Sequence, residues 1–406
     1  MTSENRRNLR PEETEENLED VTLIWLDENI NDSLESRYKQ SLFSELNNYI
    51  QYYTDPRLCI DYIQIVVSEK ILLIVSPFLS RNILPVVHGQ QSINSIFIFG
   101  NNRCQYESLI SQYSKVIDIF TDQQLLLKSI RDTLHLVSKQ SLAFNLFDQQ
   151  KQKSTRDLSK DSASFLWYQL LLDILKKMPQ TEQSKNDMLE KCSDYYRSNK
   201  FQLRKIDHFR TSYTADRAIE WYTDECFLYK LLNKALRTED IDLLYLFRFY
   251  VIDLCKQLEY ENGLLQKTDM LTLYRGQLLS IQEFEKLKQS IGVLISTNGF
   301  FSATKDINIA LVFISGTSDT DELKPVLFEI QVDSNLKTVV FADIDKYSGM
   351  QGEKEVLFSL GAVFKIDNIY FDYNYNYWKI QMTATEDGSK YTQEYLDFSR
   401  KEIKHS

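Results

Sequence analysis

The sequence predicts two domains, an N-terminal α/β domain with a doubly wound parallel sheet and a C-terminal α+β domain. In residues 20–147, the apolar runs VTLIWL, ILLIVS, SIFIFG and VIDIFT alternate with helical segments, as buried parallel strands do. Residues 148–162 are polar and charged, which is typical of a linker. Helices and then strands fill residues 163–400. A chain of 406 residues with 43% hydrophobic residues can form two cores.

Composition and charge indicate which binding partners and which cellular location to expect. The formal net charge is -11 and no cluster of Lys and Arg stands out, so we expect no nucleic-acid partner. Residues 1–19 are charged, lack the apolar core of a signal peptide and predict a disordered leader. No apolar run reaches membrane-spanning length, so we expect no membrane partner. Five widely spaced cysteines favour a reducing, cytoplasmic location over a disulfide framework.

The α/β domain carries no motif that identifies an activity. Before Gly263 the glycines are Gly89 and Gly100, so a G-x-G-x-x-G or phosphate loop is missing. Acids within residues 27–29 follow a strand, where a receiver-type phosphoacceptor would lie, but an ordinary polar loop explains them as well. We therefore interpret residues 20–147 as a docking or regulatory domain with a protein partner. Its predicted helices are SLESRYKQSLFSELNNYIQYY, SRNILPVVHG, YESLISQY and residues 122–141.

The C-terminal part begins with helices and continues with strands. Nine of the eleven glycines lie at or after Gly263, so close backbone approaches concentrate here and we expect the site in this part. The tyrosine-rich residues 370–378 are either a packed outer strand, which we favour, or an exposed stacking surface. The predicted helices are residues 165–178, 187–198, 215–237, 239–260, 280–290 and 306–314. The predicted strands are residues 271–276, 293–304, 326–332, 338–344, 355–360, 362–371 and 377–384.

Arg275 and Gly276 end the predicted strand LTLYRG. An arginine in this place is most often a surface cation or an ion-pair partner. The glycine, however, lets a ligand reach the backbone beside a guanidinium that can grip a phosphate in a fork. The pair is therefore a candidate for anion binding on a strand.

The stretch ISTNGFFSATKD carries hydroxyl groups, including those of Ser302 and Thr304, around the turn-forming pair Asn298-Gly299. Hydroxyls that bond to neighbouring strands would explain this composition. In the functional interpretation, the hydroxyls orient a sugar and catalytic groups beside an aromatic wall. Composition leaves both interpretations open.

The stretch QGEKEVLFSLG places Glu353 and Glu355 two positions apart, directly ahead of an apolar run. Within a strand the two acids would share a face while Lys354 points away. A solvated charged edge is the alternative, because lysines often guard strand edges. Since Glu355 stands at the threshold of a core, we expect the two acids to converge on one point.

Taken in order, LYRG, FFSAT and EKEVLF resemble the Arg, Ser and Glu-x-Glu motifs of arginine-specific mono-ADP-ribosyltransferases, including bacterial toxins with these motifs. The segment AIEWYTDECFLYKLLNKALR resembles the helix that precedes the arginine strand in eukaryotic members. The resemblance covers roughly residues 160–385. It implies an α+β ADP-ribosyltransferase-like domain, with a helical part and a split β-sandwich that holds NAD in its cleft.

The resemblance assigns residues to the NAD side of this cleft. Arg275 would hold the phosphate and ribose of NAD, and the backbone of Gly276 would meet the nicotinamide amide. Ser302 matches the first serine of the family's Ser-Thr-Ser motif, and Thr304 keeps a hydroxyl at the third place. Ala303 departs from the motif at the middle place, where the family has a hydroxyl.

The resemblance also assigns the catalytic acid, which acts on the sugar and helps to bind NAD, and the residues of the acceptor side. Glu355 would be the catalytic glutamate, and Glu353 would be the acid that favours an arginine acceptor. The loop ADIDKYSGMQG resembles the family's substrate-recognition loop, with Tyr347 expected as its exposed aromatic residue.

The activity implied is transfer of ADP-ribose from NAD, or from NADP as the alternative co-substrate, to arginine of an acceptor protein, with release of nicotinamide. Cleavage builds oxocarbenium-like charge on the ribose, which Glu355 would stabilise while Glu353 orients the guanidinium. No metal is expected, because His, Cys and carboxylates do not cluster at ligand spacing. The alternatives are an NAD glycohydrolase, a catalytically lapsed binding module, which Ala303 would favour, and an activity carried by the N-terminal domain, which lacks a motif.

Overall fold

The structure is a computed structural model that describes two compact units. One unit comprises residues 1–139 and 190–211, and the other comprises residues 140–189 and 212–406. The linker predicted at residues 148–162 falls largely on residues 148–159, which lie outside the described residues. The described residues are 7–31, 33–67, 69–140, 144–147, 160–224, 226–265, 270–315, 319–320, 323–347, 352–388 and 390.

A parallel sheet organises the first unit. Five strands among the described residues pair in the order β2-β1-β3-β4-β5, all of them parallel. The four strands predicted from apolar runs are confirmed, and β2 was missed. The strands are β1 (Val21–Leu26), β2 (Ile50–Tyr53), β3 (Lys70–Val75), β4 (Ile93–Phe99) and β5 (Val116–Phe120).

Helices cover both faces of this sheet, because successive strand residues point to opposite sides. Ile24 and Leu73 face one core together with Ile83, whereas Leu23 faces a second core together with Ile130. The helices are α1 (Leu34–Leu46), α2 (Pro56–Ile65), α3 (Pro77–Val87), α4 (Arg103–Tyr106), α5 (Ser108–Gln112) and α6 (Gln123–Gln140).

The segment predicted as one helix after β1 contains a helix and a strand. α1 ends at Leu46, and Asn47 is extended and buried. The side-chain amide of Asn47 donates to the carbonyls of Val21 and Tyr49, each at 2.9 Å. β2 follows, with all four residues buried. The prediction was wrong here because these long-range bonds end the helix and leave no trace in its periodicity.

Residues 7–19, which were expected to be disordered, are ordered within the first unit. Arg7 pairs with Tyr52 of β2, and Asn17 and Glu19 are buried. The Asn17 amide donates to the Glu69 carboxylate at 2.8 Å. Charged and polar composition therefore misled the prediction, because these side chains have partners on the sheet. Residues 1–6 lie outside the described residues.

A mixed sheet organises the second unit. Nine strands of the described residues follow the order β11-β12-β9-β7-β10-β14-β13-β8-β6, with β10 and β14 parallel and the other pairs antiparallel. The strands are β6 (Phe144–Phe147), β7 (Leu271–Ser280), β8 (Leu294–Thr297), β9 (Phe301–Thr304), β10 (Leu323–Val332), β11 (Phe341–Asp343), β12 (Glu355–Phe358), β13 (Val363–Asp372) and β14 (Tyr377–Ala384).

The junction of β7 with β9 divides this sheet. Within the described residues, Tyr274 and Thr304 form the only pair between the two strands. Phe301 and Phe358, on one side of the junction, share a core with residues of β10 such as Phe328 on the other side. The two parts of the sheet therefore pack face to face over a common core.

The helices and strands after residue 160 depart from the sequence prediction in three places. Residues 215–237, predicted as one helix, form a 3-10 turn (Ala215–Arg217) and two helices. Residues 293–304, predicted as one strand, form β8 and β9, which lie apart in the sheet. α9 was not predicted. The helices are α7 (Lys160–Lys177), α8 (Glu182–Tyr195), α9 (Lys200–Ser212), α10 (Ala218–Thr223), α11 (Phe227–Thr238), α12 (Ile241–Leu264), α13 (Ile281–Lys288) and α14 (Ile307–Val312).

The tyrosine-rich segment is a hairpin whose strands are packed and whose tip is exposed. It joins β13 to β14, and the side chains of Tyr373 and Tyr375 at its turn are 88% and 68% exposed. Trp378, by contrast, packs against the main core of the second unit. Across the described part of the chain, no helix has both the length and the apolar character needed to cross a membrane.

Candidate active site

Arg275 lies buried in β7, where three neighbours fix its guanidinium. Its Nε donates to Oε1 of Gln277 at 3.1 Å, and its Nη1 donates to the carbonyl of Ser302 at 2.7 Å. The guanidinium carbon lies 5.2 Å from the ring centroid of Phe301, a cation–π contact. The side chain is therefore held by groups of two strands, β7 and β9, and is not a mobile surface cation.

Burial has a cost for this arginine. It lowers the pKa of Arg275 to about 10, and the neighbouring Tyr229 and Glu355 oppose that shift. At neutral pH the guanidinium is still a cation. A buried cation is poorly solvated by water, so an anionic group such as a phosphate that reaches it gains a strong interaction.

Gly276 is required by the packing of α14. A Cβ atom built on Gly276 would lie 1.9 Å from the carbonyl oxygen of Ala310 in that helix. The sequence predicts that this glycine opens the backbone to a ligand. The structure gives it a packing reason, because only a glycine lets the backbone of α14 approach β7 so closely.

Ser302 and Glu355 meet across the antiparallel pair β9–β12. The hydroxyl of Ser302 donates to Oε1 of Glu355 at 2.5 Å. Leu357 is the direct partner of Ser302 in the register, and Thr304 is the partner of Glu355, so all four side chains share one face. Glu355 is 7% exposed. A single chain of contacts therefore links Arg275, through the backbone and hydroxyl of Ser302, to this carboxylate.

Glu353 lies outside the strand that was expected to contain it. β12 begins at Glu355, and Lys354 has a left-handed backbone with φ 49°. Glu353 and Glu355 therefore do not share a strand face, contrary to the prediction. The turn is fixed instead by hydrogen bonds: Thr304 Oγ1 donates to the Glu353 carbonyl at 2.7 Å, and the Lys354 N–H donates to the Asp345 carboxylate at 2.9 Å.

Tyr347 is half-buried, where we expected an exposed aromatic residue. It ends a 3-10 turn (Asp345–Tyr347), and its hydroxyl donates to Oε1 of Glu261 in α12 at 2.5 Å. Its backbone carbonyl accepts a bond from the Thr223 hydroxyl at 3.1 Å. Residues 348–351 of the same loop lie outside the described residues.

Sequence reasoning missed two groups of neighbours around Arg275. Gln277 could have been found, because residues two apart on a strand share a face. An aromatic cluster could not, because Tyr222 and Tyr229 come from helices. The ring of Tyr222 lies 5.1 Å from that of Tyr229 and 5.3 Å from that of Phe300.

The site combines a buried cation, a hydroxyl and a carboxylate, which suits chemistry on a substrate that carries both phosphate and developing positive charge. The cation can bind phosphate oxygens, and the oriented carboxylate can stabilise a cationic sugar. Within the described residues, no group of three or more His, Cys, Asp or Glu side chains is placed to hold a metal ion.

Solved ADP-ribosyltransferases are similar to this chain. The Vis toxin from Vibrio splendidus is 21% identical, covers 52% of this chain and 89% of its own, and has a TM-score of 0.31. Plx2a, a toxin from Paenibacillus larvae, is 19% identical over 49% of this chain and 96% of its own, with a TM-score of 0.32. HopU1 of Pseudomonas syringae pv. Tomato DC3000 is 17% identical over 51% of this chain and 99% of its own, with a TM-score of 0.35.

No family model matches the chain, and no curated protein is similar to it at a significant level. The side chains of the site and the three sequence motifs are the observations from which a function can be proposed for this chain.

Proposed function

We propose that this protein transfers ADP-ribose from NAD to arginine side chains of other proteins. The observation that carries the proposal is the chain of contacts from Arg275 through Ser302 to Glu355. These residues come from the three motifs that resemble those of arginine-specific mono-ADP-ribosyltransferases, and they lie together although 80 positions separate the first from the last. Arg275 binds the phosphate and ribose part of NAD, beside the backbone of Gly276.

The reaction begins with loss of nicotinamide. The bond between the ribose carbon and the pyridinium nitrogen breaks, and its electron pair stays on nicotinamide, which leaves neutral. The ribose acquires oxocarbenium-like charge, which the carboxylate of Glu355 stabilises. Ser302 holds that carboxylate in place by its hydrogen bond. No general acid is needed, because the leaving group is already cationic in the ground state.

The acceptor then attacks the ribose carbon. An arginine guanidinium is strongly basic and a poor nucleophile, so it needs a carboxylate that orients it and takes a proton as the new C–N bond forms. Glu353 has this role, in a turn that Thr304 and Asp345 anchor and that Tyr347 flanks. Thr304, which the resemblance assigns to the NAD side, also supports the acceptor side by holding the backbone of Glu353.

The proposal is tested on the purified full chain with NAD labelled in its adenylate part, with and without agmatine as a small guanidine acceptor. We expect an agmatine-dependent product that falls about 10²- to 10³-fold in Glu355→Gln, because an oriented charge is removed from the transition state. Glu285→Gln, a half-exposed glutamate on α13, is the matched control and should keep wild-type activity.

Two other outcomes would replace the proposal. Release of nicotinamide without an agmatine adduct would identify an NAD glycohydrolase that uses water as acceptor. Failure to consume NAD would identify a lapsed binding module. The same assay with NADP settles the choice of co-substrate.

For the first unit we propose docking or regulation through a protein partner, since its parallel sheet carries no phosphate-binding glycine motif. We place the protein in the cytoplasm, where an exposed thiol such as that of Cys104 stays reduced.

A further inference from the structure

Gln277 is a buried amide directly beside the buried arginine. It is 1% exposed, and it lies two residues after Arg275 on β7, so both side chains leave the strand on the same face. Its Oε1 accepts the bond from Arg275 Nε at 3.1 Å. A buried amide at such a site is conspicuous, because burying a polar group is favourable only when its hydrogen bonds are satisfied.

The contact from Gln277 fixes the plane of the guanidinium. An arginine side chain has several rotatable bonds, and its planar fork binds a phosphate well only when the plane is oriented. The Nε bond to Gln277 and the Nη1 bond to the Ser302 carbonyl define two edges of that plane. The ring of Phe301 limits motion out of the plane.

The amide also preserves the charge of the arginine. A carboxylate in the place of Gln277 could accept the same bond, but it would neutralise the guanidinium at close range in a poorly solvated site. A neutral acceptor positions the cation and leaves its charge for an anionic substrate. Hydrogen-bond geometry and charge thus point to the same role.

We propose that Gln277 is a positioning residue that orients Arg275 for the phosphate-bearing co-substrate. The proposal rests on the proposed function, since it takes that co-substrate to be NAD. It assigns to Gln277 an effect on binding of NAD and none on binding of the guanidine acceptor.

Two variants test separately the orientation of the guanidinium by Gln277 and the preservation of its charge. Gln277→Met keeps the length of the side chain and removes the hydrogen bond, so Arg275 loses its orientation. Gln277→Glu keeps an acceptor at the same place and neutralises the cation. We expect both to raise the Kd and the KM for NAD: Gln277→Met by about 10-fold to 100-fold, because a bond to a charged group is lost, and Gln277→Glu because the cation available to the phosphate is neutralised. The KM for agmatine should stay within about twofold.

The control is Gln331→Met on β10. Gln331 is another amide of the same sheet, and it accepts a bond from the Thr272 hydroxyl at 3.1 Å. Gln331→Met removes a hydrogen bond of the same sheet and should leave the KM for NAD unchanged. Binding of NAD is measured by calorimetry, and thermal unfolding of each variant shows that it is folded.

The outcomes for Gln277 and for the proposed function are distinct. A folded Gln277→Met with wild-type affinity for NAD overturns the positioning role, and so does a Gln277→Glu variant that binds NAD more tightly than the wild type. A wild-type chain that binds NAD without consuming it overturns the transferase function alone, and the affinities still test Gln277. A wild-type chain that does not bind NAD overturns both.

Discussion

Ser302 and Ala303 are neighbours on β9 whose side chains point to opposite faces of the sheet. Ser302 faces the site and bonds to Glu355, whereas Ala303 is 4% exposed and belongs to the main core of the second unit. The departure of Ala303 from the family's Ser-Thr-Ser motif therefore changes a core position. This placement weakens the one sequence feature that favoured a lapsed module.

We expect Ala303→Ser to destabilise the protein by about 1–3 kcal/mol, because the new hydroxyl enters an apolar core. Turnover should stay within a few-fold of the wild type. Ser302→Ala, on the adjacent residue, should cost a similar amount of stability, because the buried Glu355 carboxylate loses a donor, but it should also lower turnover at least about tenfold. Urea unfolding and the agmatine assay measure both effects, and a Ala303→Ser variant that gains activity at no cost in stability would contradict this account.

At the residue scale, the sequence predicted correctly which side chains lie together. It predicted less well the backbone conformation and the hydrogen bonds that hold them. Arg275, Ser302 and Glu355 were selected from motifs, and the structure brings them together. The exposure of Tyr347 was wrong because its hydroxyl partner, Glu261, lies 86 positions away. The face of Glu353 was wrong because Lys354 adopts a left-handed backbone that strand periodicity does not anticipate.

At the scale of elements, the contact between helix α14 and strand β7 fixes the position of the strand that carries Arg275. Ala310 of α14 and Leu327 of β10 belong to a small apolar cluster. It lies on the face of the sheet where α14 packs against Gly276. Because the carbonyl of Ala310 takes the space of a side chain at Gly276, the strand and the helix are held at one separation.

Gly276→Ala should lower the free energy of unfolding by at least about 1–3 kcal/mol, because the added methyl group meets backbone atoms that cannot rotate away. The matched control is expected to change the free energy of unfolding in the opposite direction. Gly263 lies in α12 with no atom within 4 Å of a built Cβ, so Gly263→Ala should stabilise the helix by about 0.5–1 kcal/mol. Urea unfolding of the two variants decides the matter, and equal stabilities would refute the packing role of Gly276.

At the element scale, periodicity located most segments but not the breaks inside them. Apolar runs identified β1, β3, β4 and β5 because buried parallel strands are continuously apolar. Periodicity did not reveal the break between α10 and α11. The sequence marked a turn at Asn298-Gly299, but it did not show that β8 and β9 separate there to different places in the sheet. The pairing of each strand in the sheet is set by tertiary contacts, which a local pattern does not encode.

At the scale of the whole chain, the first unit is completed by residues far along the sequence. Residues 190–211 belong to it, together with residues 1–139. The hydroxyl of Tyr196 donates to the buried carboxylate of Glu19 at 2.7 Å. Burial raises the pKa of Tyr196, so the hydroxyl keeps its proton and remains a donor. The sequence prediction assigned domains as consecutive segments, so it missed that residues 190–211 pack with the first unit.

Tyr196→Phe should destabilise the first unit by about 1–3 kcal/mol, because a buried carboxylate loses a hydrogen-bond donor. Tyr38→Phe, at an exposed tyrosine of α1, is the control and should be neutral. Hydrogen exchange of the full chain can locate the effect, which should appear in the strands β1 to β5. Equal protection of these strands in both variants would show that the bond from Tyr196 to Glu19 does not stabilise the unit.

In the proposed reaction, Glu355 acts on the sugar and Glu353 acts on the acceptor. This division is tested most directly by measuring released nicotinamide and agmatine adduct in the same reaction for wild type, Glu353→Gln, Glu355→Gln and the control Glu285→Gln. We predict that Glu355→Gln loses both products, whereas Glu353→Gln loses the adduct by about 10²-fold and keeps most of the nicotinamide release. A parallel fall of both products in Glu353→Gln would contradict the division.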